Sequence, residues 1–125
     1  MAAVRGRDTK PEIAVRSKLF HEGYRFRLHR RDLPGCPDII LLRFHTAVFV
    51  HGCFWHGHSC RRGKLPDTNK EFWAAKIQGN IRRDKANLTT LQEKGWSVFV
   101  IWACELKTGT ETLLQHLARC RAESN

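Results

Sequence analysis

Apolar positions along the chain follow two periods, and the changes from one to the other mark out the elements. TKPE at 9–12 has the form of a capping box, with Thr9 as cap and Glu12 three residues on, and opens a helix that ends near Gly23. In YRFRLH, Tyr24, Phe26 and Leu28 alternate with charged residues, the pattern of a half-buried strand. The RRDLPGCP loop carries a Pro-Gly turn and leads into DIILL (38–42), a strand of the buried type. TAVFV (46–50) is another, after a connection short enough for a hairpin. RRGKLPDTNKE reads as a polar surface loop, and a second capping box, Thr68 to Glu71, starts a long helix that runs to Gly95. WSVFVIW (96–102) is a fourth strand, and a last helix from about Thr110 carries Leu113, Leu114 and Leu117. The order α-β-β-β-α-β-α predicts a mixed central sheet flanked by helices, in one domain over residues 1–125 without internal repeats.

The long helix breaks its own pattern at one place. At about 100° per residue, Trp73, Ile77, Ile81, Leu88 and Leu91 fall on one stripe, and Asp84 falls in the middle of it. A carboxylate on a buried helix face costs free energy unless it has a partner. A buried salt bridge to an arginine would supply one. So would a histidine or a metal-bound water that the carboxylate orients.

Composition narrows the partners. The chain is 42% hydrophobic, enough for a folded core, and its 22 Lys+Arg against 12 Asp+Glu give a net charge of +10. That excess points to a polyanion, nucleic acid before an anionic membrane. No apolar run approaches the roughly 20 residues needed to span a bilayer. MAAVRGRDTKPE has no apolar core of a signal peptide, so a cytoplasmic protein is expected. The five cysteines (36, 53, 60, 104 and 120) are odd in number and two lie among histidines, which in a reducing compartment favours metal over disulfide.

The candidate chemistry begins at CPDII, where Asp38 opens a buried strand immediately after a proline. A carboxylate at a rigid strand end beside a loop suits a hard cation. On the next strand Phe49 and His51 share one face while Val50 points to the other. This resembles the catalytic hairpin of the PD-(D/E)xK nucleases, with Phe49 at the acid position and His51 at the lysine position. Histidine, with its near-neutral pKa, can still activate water or stabilise charge at a phosphate. In HGCFWHGHSC, Cys53, His58 and Cys60 lie within eight residues, and tetrahedral zinc would need a fourth ligand. Cys104, directly after VFVIW, is the best candidate, ahead of Cys36 and Cys120.

RDTKPE, LPGCPDII, VFVHGCFWHGHSC, EFWAAKI, NIRRD (80–84), LQEKGW and VIWACEL occur in order, and through them nearly the whole chain resembles the very short patch repair endonucleases. These are the mismatch nickases that accompany DNA cytosine methyltransferases. The resemblance implies a restriction-endonuclease-like core and a nick 5′ of the thymine of a T·G mismatch in double-stranded DNA. It makes Asp38 the magnesium-binding aspartate, with the Val50 carbonyl as a second metal contact, and His51 and His56 the catalytic histidines. Asp84 is implied to pair with the catalytic histidine, and Glu12 falls where the family has an acid facing the active site, a role that capping alone would also explain. Cys53, His58, Cys60 and Cys104 match structural zinc ligands, and Phe54, Trp55 and Trp73 match aromatics pushed into the DNA stack. A T·G wobble is less stable than a matched pair, so wedging aromatics beside it costs less there. Trp96 and Trp102, on or next to a strand, are expected in the core. The resemblance further implies a monomer in the bacterial cytoplasm, at the nucleoid, with mismatch-repair proteins and a cognate cytosine methyltransferase as possible partners.

Three departures from the family pattern stand out. Val50 replaces a hydroxyl residue, Cys36 replaces a longer, often basic side chain in PGCPD, and only eight residues precede the first helix where an arm usually reaches the mismatch. Weaker phosphate binding and weaker mismatch discrimination are expected from the last two. A site-specific restriction-type endonuclease and a non-catalytic, zinc-stabilised DNA-binding module are the rival readings. Hydrolysis at the zinc ranks low, because four protein ligands leave no open position.

Overall fold

The protein is described by a computed structural model covering residues 9–53 and 65–123. Its elements are α1 (Lys10–His21), β1 (Arg27–Leu28), β2 (Ile39–Leu41), β3 (Thr46–His51), α2 (Lys70–Glu93), β4 (Ser97–Trp102) and α3 (Leu106–Glu123). The order is the expected one. The strands lie side by side as β1-β2-β3-β4, antiparallel from β1 to β3 and parallel between β3 and β4, so the sheet is mixed. The hairpin between β2 and β3 closes through a 3-10 turn at Leu42–Phe44 and His45 in the left-handed region at φ 49°. The parallel pair needs a crossover instead, and α2 supplies it by running back along the sheet.

Helices cover both faces, which is why β2 reads as a continuous apolar run. On one face Val15 and Leu19 of α1 and Leu113 and Leu117 of α3 pack on Ile39, Leu41, Val48 and Ile101. On the other, Leu91 of α2 packs on Ile40, Ala47 and Phe49, with Leu33, Trp96, Val98 and Val100 around them. The first two helices end by the same device. Gly23 at φ 87° lets the amides of Gly23 and Tyr24 reach back to Phe20 and Leu19, both at 3.0 Å. Gly95 at φ 92° lets those of Gly95 and Trp96 reach Gln92 and Leu91, at 3.0 and 3.1 Å. Each is a Schellman motif, and each turns an aromatic residue back against the leucine that accepts its amide.

Several boundaries differ from the sequence expectation. The strand expected over YRFRLH is only two residues long, and Leu28 is exposed, because the chain leaves the sheet edge at His29 with φ 50°. The Thr9 cap forms, with Thr9 Oγ1 accepting the Glu12 amide at 3.3 Å. The Thr68 box does not: α2 is capped by Asn69 in the left-handed region at φ 57°, without a side-chain bond. Asparagine tolerates that conformation better than most residues, and Glu71 still faces the positive end of the helix. Finally α3 starts at Leu106 and not near Thr110. Gly109 inside it marks a close approach: a Cβ there would stand 2.9 Å from the Ile101 side chain.

Leu91 is fully buried and is the anchor of α2 on the sheet. Leu91→Ala is expected to lower stability by about 2–5 kcal/mol, as read from chemical denaturation, because the helix rests on the surrounding strands and cannot collapse into the gap.

Candidate active site

Asp38 is held by backbone on three sides. Its amide donates to the Val48 carbonyl at 3.0 Å, its carbonyl accepts from the His29 amide at 3.1 Å, and its carboxylate accepts the Val50 amide at 2.7 Å. β2 begins one residue later, so a side chain meets the Val50 N–H here. Burial pushes the Asp38 carboxyl up to about 7 against the opposing pull of the Val50 amide, and the nearby Glu12 carboxylate adds to the rise.

Glu12 lies in the first turn of α1 on the same stripe as Val15 and Leu19, and it is 1% exposed. Its backbone serves the cap while its carboxylate lies 3.2 Å from Arg16 and 2.9 Å from His29 Nε2. The cap thus engages only the Glu12 amide, and the carboxylate is turned to other partners. Glu12, His29 and Asp38 each offer a ligand atom, all within 4.8 Å of one another. His29 was not singled out from the sequence. It falls out of phase with Tyr24, Phe26 and Leu28, and nothing else in YRFRLH distinguishes it.

His51 ends β3 and is 8% exposed, 5.6 Å from the Phe49 ring and edge-on to Trp102 at 5.2 Å. Phe49, at the acid position of the hairpin, is a core residue on the α2 side, and His51 shares its face by strand alternation. Trp96 packs against that core and stacks on His45 at 3.9 Å, as a core aromatic should. Asp84 lies two helical turns before Leu91 on the same side of α2. It is half-buried and not sealed in, as are Trp73, Ile81 and Leu88. The 24 residues of α2 span about 36 Å, against about 20 Å for a six-residue strand, and Ile77 and Leu91 are its buried positions. As the crossover from the end of β3 to the start of β4, α2 begins toward the sheet end where Asp38 and His51 sit. Trp73 is in that first part of the helix, beside Phe72, which is 59% exposed.

Cys53 and Cys104 follow neighbouring strands. His51 and Trp102 are paired in the parallel ladder, and each cysteine comes two residues later, Cys53 buried and Cys104 exposed. Matched positions past adjoining strand ends are what a shared metal ion would need of two thiolates. His58 and Cys60 lie outside the described residues, as do His56, Phe54 and Trp55. Cys36 sits in a left-handed turn at φ 50°, and Cys120 lies on α3 with its sulfur 3.6 Å from His116.

Comparison with known proteins gives the family. Residues 1–62 match the sequence model of the DNA mismatch endonuclease Vsr family. The chain is 41% identical to the DNA mismatch endonuclease Vsr of Escherichia coli over 123 residues, 98% of this chain and 78% of that protein. It is 53% identical to the type II nicking enzyme V.XorIIP of Xanthomonas oryzae over 106 residues, 85% of this chain and 78% of the relative. For V.NmeAIP of Neisseria meningitidis, also a type II nicking enzyme, the figures are 47% over 107 residues, 86% and 76%. The chain belongs to the Vsr family.

It is accordingly a DNA endonuclease. No helix among the described residues is long and apolar enough to cross a membrane.

The raised Asp38 pKa has a thermodynamic consequence for the metal-free protein. The folded state keeps the Asp38 proton up to about 7, whereas the unfolded chain releases it near ~3.9. Stability from this group is therefore full below the unfolded value and is lost as pH rises through the folded one. Asp38→Asn removes the dependence. The melting temperatures of wild type and variant should coincide near pH ~4 and separate in favour of the variant by pH ~8, and parallel curves would contradict the burial of this carboxyl.

Proposed function

We propose that this Vsr-family endonuclease nicks double-stranded DNA 5′ of the thymine of a T·G mismatch, of the kind left by deamination of 5-methylcytosine, in a magnesium-dependent reaction. The observation that carries the reading is the Asp38 carboxylate fixed at a strand end by the Val50 amide, with a second buried carboxylate beside it. A pair of acids drawn together at the mouth of a hairpin fits a divalent cation, and the hairpin fits a PD-(D/E)xK-type core. Asp38 and the Val50 carbonyl would hold magnesium, which when bound polarises the scissile phosphodiester.

The chain's own groups do the rest. His51, positioned by Asp84, takes the proton of the attacking water, and His56 stabilises or protonates the leaving oxygen. The buried setting of His51 against Trp102 and Phe49 keeps its ring orientation fixed. Cys53, His58, Cys60 and Cys104 bind a structural zinc ion that makes the Cys53–Cys60 loop rigid. Phe54, Trp55 and Trp73 enter the base stack beside the mismatch, where unstacking costs least. The partners are mismatched DNA and possible repair proteins and a methyltransferase, with a monomer acting in the bacterial cytoplasm. A site-specific, restriction-type cut of matched duplex is the second reading. The nicking enzymes among the relatives favour a single-strand cut on either reading.

A nicking assay in magnesium, on T·G duplexes with varied flanking bases and on their matched counterparts, separates the two. Nicks confined to mismatched duplex, 5′ of thymine, are expected, and equal cutting of matched duplex would replace this reading with the second. Asp38→Ala should abolish nicking, and His51→Ala should slow it by at least about 100-fold with DNA binding retained.

The zinc assignment is checked apart from activity. Purified protein should contain one zinc per chain by elemental analysis, and Cys104→Ser should lose most of it together with thermal stability. Full zinc content in that variant would remove Cys104 from the ligand set.

A further inference from the structure

One member of the buried cluster has no part in the chemistry set out above. His29 lies just past β1, its side chain is 14% exposed, and its amide donates to the Asp38 carbonyl at 3.1 Å. That bond and a left-handed backbone at φ 50° aim the imidazole inward at Glu12. We propose that His29 is a metal ligand, and that with Glu12 and Asp38 it forms an imidazole–carboxylate site preferring a transition-series divalent cation, such as Mn2+, over Mg2+. The proposal rests on Asp38 as the metal-binding acid and adds a ligand and a selectivity to it.

The spacing fits an ion. The three ligand atoms lie within 4.8 Å of one another, and Glu12 Oε2 stands 2.9 Å from His29 Nε2. Two cis ligands with bonds of about 2.1 Å in an octahedral site stand about 3.0 Å apart, so this edge matches without rearrangement. The charges fit as well. Glu12 and Asp38 are two acids brought close in a poorly hydrated place, with Arg16 3.2 Å from the Glu12 oxygen that also meets His29. A divalent cation between them offsets their repulsion. The selectivity follows from the donor set. Mg2+ is served best by oxygen and water, whereas imidazole nitrogen strengthens binding of later first-row ions.

The plain rival is that His29 only pairs with Glu12 and keeps its carboxylate in place, which gives no preference among metals. The test uses the whole, zinc-loaded protein without DNA. Mn2+ binding is followed by the electron paramagnetic resonance of free Mn2+, and Mg2+ binding by competition. His29→Asn keeps a residue that accepts a left-handed backbone while removing the imidazole. Wild type should bind Mn2+ at least about 10-fold tighter than Mg2+. His29→Asn should lose about 10-fold or more in Mn2+ affinity with Mg2+ affinity nearly unchanged. Asp38→Ala should lose both. Wild-type Mn2+ affinity in His29→Asn overturns the proposal and leaves His29 as a pairing partner of Glu12.

A second readout needs no variant. Mn2+ at the Asp38-dependent site of the wild-type protein should show electron-spin-echo modulation from a directly bound 14N nucleus, and its absence also overturns the proposal. Neither measurement uses nicking. Failure here with T·G nicking intact removes only His29 from the metal site, whereas loss of mismatch selectivity with Mn2+ preference intact removes only the proposed substrate.

Discussion

The bond from the Val50 amide to the Asp38 carboxylate, 2.7 Å long, is the point on which the geometry of the site depends. It joins the start of β2 to the end of β3 and fixes an acid where two strands stop. Holding the acid there is costly, as its raised pKa records. A second carboxylate, Glu12, sits within the same cluster at 1% exposure, with Arg16 and His29 close to it. A protein built for stability alone would not gather these groups under a helix, because like charges in a poorly hydrated place repel. Local destabilisation of this kind is common where a site is shaped for a ligand.

The sheet divides the work between its two faces. Val50 turns its side chain to the core under α1 and α3, Phe49 turns to the core under α2, and His51 follows Phe49. One residue of strand thus separates the place proposed for the metal from the place proposed for the base. The first turns of α2 carry Trp73, half-buried, and Phe72, exposed.

Much of this was legible in the sequence because it is written in local patterns. The alternation of strands and helices, the Thr9 cap, the Asp38 strand start and the shared face of Phe49 and His51 all follow from neighbouring residues. Glu12 could have been found the same way, since Glu12, Val15 and Leu19 repeat at helical spacing, but the capping box gave its acid a sufficient local reason. Asp84 drew attention for the same fault on α2, and it is half-buried on the stripe that buries Ile77 and Leu91. His29 was out of reach: its importance comes from a backbone turn and from a helix seventeen residues earlier in the chain, and neither leaves a local signal. The last helix starts at Leu106, before the leucines that reveal it, and runs through Gly109, whose lack of a side chain lets it press against Ile101.

The two helices on the first face come from opposite ends of the described chain. Val15 and Leu19 of α1 share their core with Leu113 and Leu117 of α3. Glu12 thus leaves the ribosome well before the helix that completes the core beneath its own helix. Synthesis proceeds at about 5–20 residues per second, so the nascent chain carries Glu12, His29 and Asp38 for seconds before α3 can dock. A nuclease arranged this way closes the core under its acid-bearing helix only after α3 has been made.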